Sequence, residues 1–208
     1  MNQHAMSISM HERDLPADVD LGPLVAVDTE AMGLRPNRDR LCLVQLSAGD
    51  GRCHLVRFAG SPYHAPNLVR LLGDPAVEKV FHFARFDLAI LRHYLGVVCR
   101  PVYCTKIASK LARTYTDRHG LKDLCQELLG IDLSKQMQNS DWGAAELSEA
   151  QLSYAANDVL HLHRLRERLN VMLEREDRRA LARACFDFLP ERVALDLAGW
   201  ADVDIFAY

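Results

Sequence analysis

The chain has 208 residues, of which 49% are hydrophobic and 25% charged, and its formal net charge is −3. This size and composition predict one folded domain, spanning residues 1–208, that buries a substantial core. The slight negative charge argues against a protein that coats nucleic acid non-specifically, and no apolar run is long enough to cross a membrane. The six cysteines include no Cys-x-x-Cys pair, which favours reduced core residues of a cytoplasmic protein over disulfides or a zinc site.

In chain order, the pattern predicts three strands, a helix, a strand, a helix, a strand and then helices only. Asp50-Gly51, between the second and third strands, is a hairpin signal, so the sheet should begin antiparallel and become parallel where helices intervene. The first twenty residues are charged and lack an apolar core, so they are interpreted as a lead-in and not as a signal peptide. The strands are expected near residues 23–28, 40–47, 52–58, 78–83 and 100–104, and the later helices near 105–115, 119–129, 148–174 and 177–197.

The first acidic pair stands at the end of a predicted buried strand. Asp28 and Glu30 follow the apolar run Val25-Ala26-Val27. Side chains two apart on a strand point to one face, so both carboxylates could bind one metal ion. In open α/β sheets, ligands bind at the carboxyl ends of strands. The alternative, a solvated strand end, remains open for this segment alone.

A third carboxylate, Asp87, lies where the strand at 80–83 gives way to a predicted helix that ends at Gly96. The alternative is an ordinary acidic residue in the first turn of a helix, where the dipole favours it. His82 is more typical of a core or supporting histidine than of a metal ligand, so it is left out of the catalytic set.

The fourth carboxylate, Asp158, lies on a predicted helix that begins with the capping signal Ser148-x-x-Gln151. Tyr154 precedes Asp158 by four residues, so the two side chains lie on one side of that helix. A buried tyrosine that merely caps an aspartate is the alternative. Four carboxylates gathered at one point are tolerable only with cations between them, which is typical of a two-metal phosphoryl-transfer site and hence of a nuclease.

In order and context, these motifs resemble those of the DEDD exonuclease superfamily, in the tyrosine-bearing branch that contains ribonuclease D. Asp28-Thr29-Glu30 matches the first motif, residues 82–87 the second and residues 154–158 the third. The resemblance covers residues 20–170, with further matches at residues 41–46, 120–124 and 140–142.

The resemblance implies a ribonuclease-H-like α/β fold, in which a mixed five-stranded sheet is flanked by helices and the C-terminal part is helical. About 38 residues follow Asn170. That is too few for the helical nucleic-acid-binding domain that ribonuclease D proteins usually append, so residues 171–208 are expected to pack on the domain. The apolar tail at residues 199–208 is expected to dock on the same domain or on a second subunit.

The resemblance also implies a metal-dependent 3′-5′ exonuclease that uses two divalent ions, Mg²⁺ or Mn²⁺. Asp28 would bridge the ions, Glu30 and Asp158 would complete the shell of the first ion, and Asp87 would serve the second ion. Tyr154 would orient the attacking water, because a phenol with an unperturbed pKa of about 10 is a poor base. The implied reaction releases nucleoside 5′-monophosphates from the 3′ end of RNA, with a role in 3′-end processing of tRNA or other RNAs.

Two alternative functions remain open. The first is the same chemistry on DNA, since the 2′-OH contact that separates RNA from DNA can come from the backbone as well as from side chains. The second is a binding or scaffold protein that has the fold without the chemistry, and the presence of all five active-site residues argues against it.

Substrate-binding residues are assigned by the same resemblance to Met32, Gly33 and Leu34, together with His82 and Phe86. Met32 and Leu34 could pack on the last base, and the alternative is a turn that fills the core.

For the aromatic residues Phe83, Phe86 and Trp142, core packing is favoured over base stacking. Basic side chains that could contact phosphates form two groups, although an ordinary solvated surface is favoured for them: Arg35, Arg38 and Arg40, and Lys106, Lys110, Arg113, Arg118 and Lys122.

Overall fold

A mixed β-sheet forms the centre of the molecule, of which the computed structural model describes residues 6–133, 137 and 140–208. Six strands lie within these ranges: β1 Ser7–Glu12, β2 Leu24–Ala31, β3 Leu41–Ser47, β4 Arg52–Arg57, β5 Glu78–Phe81 and β6 Val102–Cys104. They pair in the order β1-β4-β3-β2-β5-β6. The pairs β2/β3 and β3/β4 are antiparallel, whereas β2/β5 and β5/β6 are parallel, as the sequence predicts.

The sheet has one strand more than the five predicted. β1 lies in the segment interpreted as a lead-in, and it pairs in parallel with β4, from Ser7 opposite Arg52 to Glu12 opposite Arg57. Met6, Ile8 and Met10 alternate with serines, which is the signal that could have identified the strand, but the run is short and no residue of β1 is fully buried. The predicted α/β class, with a mixed sheet and a helical C-terminal part, is confirmed, and the strand count is corrected to six.

The helices follow the predicted order with one division. Within the described ranges, the α-helices are α1 Pro66–Gly73, α2 Ala84–Leu95, α3 Thr105–Ala112, α4 Leu121–Leu124, α5 Glu149–Leu160, α6 Leu162–Arg175 and α7 Arg179–Leu195. Helix α4 continues as a π-helical turn, Cys125–Leu129, and α7 continues as another, Asp196–Trp200. The single helix predicted for residues 148–174 is divided at His161 into α5 and α6. The start of α5 is defined by a capping box, in which the Gln151 N–H donates to Ser148 Oγ at 3.3 Å and the Ser148 N–H donates to Gln151 Oε1 at 3.0 Å.

The core positions the carboxyl end of β2. Every residue of β3 is buried, and β2 buries Val25, Ala26 and Val27 before its side chains become partly exposed. α5 packs against β2, β3 and β4, whereas α2 and α7 pack on each other and α7 reaches β6. No helix within the described ranges is long and apolar enough to cross a membrane.

The segment after α7 is tied to the domain by arginines. Arg85 of α2 donates to Asp196 Oδ2 at 2.6 Å and to the Ala201 carbonyl at 2.8 Å. Arg192 of α7 donates to Asp196 Oδ1 and to the Trp200 carbonyl, at 2.6 Å and 2.5 Å. The beginning of the apolar tail therefore contacts its own domain.

Candidate active site

The acidic motifs meet where β2 leaves the sheet. Asp28 and Glu30 lie at the carboxyl end of β2, and Asp158 reaches them from the last turn of α5. The ligand oxygens of these three carboxylates all lie within 4.8 Å of one another. One cation could therefore contact all three.

Asp87 lies beside this group of three, in the first turn of α2. The parallel pairing of β2 with β5 brings the start of α2 close to the end of β2. Asp87 is 3% exposed, and its Oδ1 accepts a hydrogen bond of 2.6 Å from Thr29 Oγ1. Sequence reasoning missed Thr29, because strand alternation should turn it away from its two acidic neighbours. Its place inside the first motif was the signal that could have identified it.

Burial raises the pKa values of all four carboxyl groups, and repulsion by neighbouring carboxylates adds to this at Asp28, Glu30 and Asp87. The pKa of Asp28 lies well above its usual range, first because of burial and then because of the neighbouring carboxylates. Burial, with the charges of Asp158 and Asp87, raises the pKa of Glu30 to about 9. Burial raises the pKa values of Asp87 and of Asp158 to about 7. An all-oxygen donor set under such repulsion fits hard divalent cations such as Mg²⁺ or Mn²⁺.

Tyr154 lies one turn before Asp158 and donates a hydrogen bond to its carboxylate. Burial and then the charge of Asp158 raise the pKa of Tyr154 above its usual value, so the hydroxyl stays protonated at neutral pH. The phenol can therefore orient a polar group but cannot serve as a general base. Its ring centroid lies 6.0 Å from that of Trp142, which is 3% exposed, so Trp142 packs in the core as favoured.

Two arginines hold the segment that leads into α5. Arg40 Nη2 donates to the Gly143 carbonyl at 3.2 Å. Arg57 Nη2 donates to the carbonyls of Ala144 and Ala145 at 3.0 and 2.6 Å. Arg40 thus supports the third motif instead of standing free for phosphate. Arg57 was missed because a single arginine at a strand end carries no sequence signal.

The predicted substrate turn follows β2 directly. Leu34 is 86% exposed and Met32 is 49% exposed, so neither fills the core, and both are accessible to a ligand. A Cβ on Gly33 would lie 2.3 Å from Asp39 Oδ2, so a larger residue here would have to displace the Asp39 carboxylate. The role of these three residues in binding a nucleotide remains a prediction.

The other two predicted substrate residues lie deeper. His82 Nδ1 lies 2.9 Å from Thr105 Oγ1, and burial, with the charge of Lys106, lowers the pKa of His82 to about 3. His82 is therefore neutral at physiological pH. Phe86 is half-buried and packs against the core, which agrees better with a supporting role than with direct contact.

Phe83 contradicts its predicted place in the core. It precedes α2 with a left-handed backbone, at a φ of 66°, and its side chain is 49% exposed. Lys106 Nζ lies 4.0 Å from the centroid of the ring, within cation–π range. The departure arises because the turn between β5 and α2 directs the side chain outward, which local sequence does not reveal.

Comparisons with known proteins agree with this geometry. A model of the 3′-5′ exonuclease family matches residues 5–174. Ribonuclease D of Gluconacetobacter diazotrophicus is 40% identical over 156 residues, which cover 75% of this chain and 39% of that protein. The chain therefore spans about two fifths of the length of such curated relatives.

Among solved structures, Brucella melitensis NrnC bound to pGG is 56% identical, with a TM-score of 0.95, and the match covers 98% of this chain and 100% of NrnC. The structure of NrnC with bound Mg²⁺ is 55% identical, with a TM-score of 0.93 and the same coverage. Escherichia coli RNase D is 27% identical with a TM-score of 0.72, over 82% of this chain and 45% of that one.

Proposed function

The chain belongs to the 3′-5′ exonuclease family, and on that premise we propose that it hydrolyses RNA from the 3′ end and releases nucleoside 5′-monophosphates. The observation that carries the proposal is the group of three carboxylates within 4.8 Å of one another, with Asp87 beside it and Tyr154 hydrogen-bonded to Asp158. A role in 3′-end processing of tRNA or other RNAs is part of the proposal.

The four carboxylates are the proposed ligands of two divalent ions, Mg²⁺ or Mn²⁺. Asp28 would be shared, with Glu30 and Asp158 on one side and Asp87 on the other. Bound there, such ions would supply Lewis-acid stabilisation of the charge that develops on the phosphate. The all-oxygen donor set and the Mg²⁺ bound to NrnC support this cofactor.

The remaining roles belong to side chains that surround the carboxylates and would not bind the ions. The Tyr154 hydroxyl, held at Asp158, would orient the attacking water toward the terminal phosphodiester. Thr29 fixes the position of the Asp87 carboxylate through its 2.6 Å hydrogen bond. Arg40 and Arg57 hold the segment that leads into α5, and thereby the position of Tyr154.

The proposed substrate is a single-stranded 3′ end of RNA. Met32 and Leu34, which are exposed beside the carboxylates, would pack on the terminal base, and Gly33 allows the turn to approach Asp39 closely. The binding of pGG to NrnC supports this substrate class.

We also propose that residues 1–208 act as one domain. The packing of α7 on α2 and β6 supports this organisation. The six cysteines, none of which forms a disulfide in the described ranges, support a cytoplasmic location.

The proposed activity is tested with 5′-labelled RNA and DNA oligomers of one sequence, each incubated with Mg²⁺, Mn²⁺ or chelator. The expected result is a ladder of shortened RNA that requires the divalent ion. A ladder on DNA alone would instead establish a DNA exonuclease, and no ladder under any condition would leave a binding protein.

Strand preference is tested with a blunt RNA duplex and the same duplex carrying a single-stranded 3′ extension. The extension should be removed first and the enzyme should slow at the paired region, because paired bases must unstack before they reach the carboxylates. Processive digestion of the blunt duplex would contradict this proposal.

A further inference from the structure

A cavity lies at the opposite end of the sheet from the carboxylates. It has a volume of about 360 Å³ and is bounded by the first residue of β5, by β6 and by the helices α6 and α7. Glu78, which lines it, pairs with Leu24 at the start of β2, four residues before Asp28. At about 3.3 Å per residue, this displaces the cavity from the carboxylates by roughly 13 Å along the strand. The cavity is therefore separate from the candidate active site.

The wall of this cavity is rich in positive charge. Three of its residues are arginines, Arg166, Arg179 and Arg183, and Glu78 supplies the one carboxylate among the lining residues. Arg166 Nη2 lies 2.5 Å from Glu78 Oε2, and Arg183 Nη1 lies 3.6 Å from Glu78 Oε1. Three cations against one anion give the wall a formal charge of +2, which favours an anionic ligand.

Two of these arginines also form ion pairs outside the cavity, at the surface. Arg179 Nη1 lies 2.9 Å from Glu174 Oε2, and Arg183 Nε lies 3.3 Å from Asp187 Oδ1. The side chains of Arg179 and Arg183 are 64% and 56% exposed, and ion pairs this exposed are weak because water and salt screen them. A ligand dianion can therefore compete for both guanidinium groups.

Two residues that line the same cavity carry buried donors without a partner among the described residues. Tyr103 is 4% exposed, and its hydroxyl has no hydrogen-bond partner among the described residues; the same holds for Arg166 Nε. A buried donor that stays unpaired is costly, so such groups normally indicate a partner from outside the chain.

The amino end of α7 opens onto the cavity as well. Arg179 and Ala180, its first two residues, both line the wall, and the preceding Arg178 makes no side-chain cap. The free N–H groups of a helix start and its dipole both favour an anion.

We propose that this cavity binds a nucleoside 5′-monophosphate. Its phosphate, with a charge of about −1.5 to −2 at neutral pH, matches the three arginines and the start of α7. Leu173, Ala182 and Phe186 form an apolar wall for the base, and Asn170 and Glu78 provide polar atoms for its edge. The volume lies within the range of about 300–1,000 Å³ that is typical of small-molecule sites.

The test is calorimetric titration of the full chain with GMP and with inorganic phosphate, in chelator so that no divalent ion can hold the phosphate at the carboxylates. GMP should bind once per chain, at least about tenfold more tightly than phosphate, because the apolar wall contributes only to nucleotide binding. Arg183→Gln and Tyr103→Phe should each weaken GMP binding by about three- to tenfold. Arg70→Gln, which removes an exposed arginine of α1 outside the cavity, is the matched control and should leave the affinity unchanged.

Tyr103→Phe removes only a hydroxyl that has no partner among the described residues, so it should melt at or above the temperature of the unmodified protein. It therefore remains informative even if Arg183→Gln misfolds. The absence of saturable GMP binding, or equal affinities for phosphate and GMP, would overturn the proposal. So would GMP binding that survives both cavity variants and is lost in Asp28→Asn, since the ligand would then lie at the carboxylates. Because the titration needs no hydrolysis, it stands or fails independently of the exonuclease activity.

Discussion

Two regions of this molecule bury ionisable side chains, and they differ in how many protein hydrogen-bond partners those side chains have. Lys79 of β5 is fully buried, and its Nζ donates to the carbonyls of Asp74, Val77 and Arg100 at 2.7, 2.6 and 2.6 Å. At the end of β2, by contrast, four carboxylates repel each other, and two side-chain donors in the described ranges, Thr29 and Tyr154, reach them. The lysine is satisfied by the protein itself, whereas the carboxylates have too few donors among the described residues to offset their repulsion.

Arg113, which follows α3, is a second buried cation that is satisfied by protein partners, as Lys79 is. Its side chain is fully buried, donates to Ser109 Oγ at 3.1 Å and to the Arg118 carbonyl at 2.8 Å, and forms an ion pair with Glu127. The prediction that Arg113 lies on a solvated surface, or contacts phosphate, is therefore wrong. A buried charge with complete protein partners serves the fold, and a buried cluster of one sign serves a ligand.

The largest expected effect comes from removing one carboxylate of the cluster. Asp28→Asn should abolish divalent-dependent cleavage of RNA, because it removes the ligand proposed to be shared by both ions. In chelator, the variant should melt at or above the temperature of the unmodified protein, because it also removes a repelling buried charge. Near-normal activity of Asp28→Asn in the labelled-RNA assay would refute the proposed role of the cluster.

The next largest effect is expected for Tyr154→Phe, which distinguishes the role of the tyrosine from that of the ions. Tyr154→Phe keeps the ring that packs on Trp142 and all four carboxylates, so stability and Mn²⁺ affinity should change little. Loss of a group that positions the nucleophile typically lowers the rate by about 10²–10⁴, and we expect kcat to fall by that factor while KM stays nearly constant. An unchanged kcat would reduce Tyr154 to a packing residue.

A third prediction concerns the satisfied lysine. Lys79→Met keeps the approximate length of the side chain but removes the donor for three carbonyls, and it should destabilise the fold by about 2–4 kcal/mol. Thermal unfolding measures the loss, and Lys110→Met, at an exposed position of α3, is the control that should melt normally. If Lys79→Met were as stable as the control, the hydrogen bonds of Lys79 would not stabilise the fold, and the contrast with the carboxylates would be wrong.

A structural feature of this protein could be predicted from the sequence when a few consecutive residues determine it. The strand at residues 24–31 and the amino end of α5 were predictable, because an apolar run and a capping box are contained in a few consecutive residues. The exonuclease family was predicted from three acidic motifs and is confirmed by the family match over residues 5–174. The convergence of Asp28, Glu30 and Asp158 followed from that family pattern.

The features that escaped prediction depend on distant partners. β1 has only a short alternation of apolar residues, and it pairs with β4, a strand far along the chain. Arg113 is buried because Glu127, fourteen residues later, returns to meet it. Phe83 is exposed because the turn between β5 and α2 takes a left-handed conformation, which a phenylalanine rarely adopts. None of these partners is visible in a local sequence window.

The smallest expected effect is the stabilisation of the protein by Mn²⁺ binding at the carboxylates. Mn²⁺ at about ten times its dissociation constant should stabilise the native protein by about 1.4 kcal/mol, since an ion that binds only the folded state shifts the unfolding equilibrium. For a chain of this size, that corresponds to a rise in melting temperature of roughly 3–6 °C. Asp28→Asn should lose most of this rise in melting temperature. Asp18→Asn should keep it, because Asp18 and Asp20 form an exposed acidic pair with the same spacing outside the cluster. An equal rise in both variants would mean that the ion binds elsewhere on the surface, and the four carboxylates would then need another explanation for their shared burial.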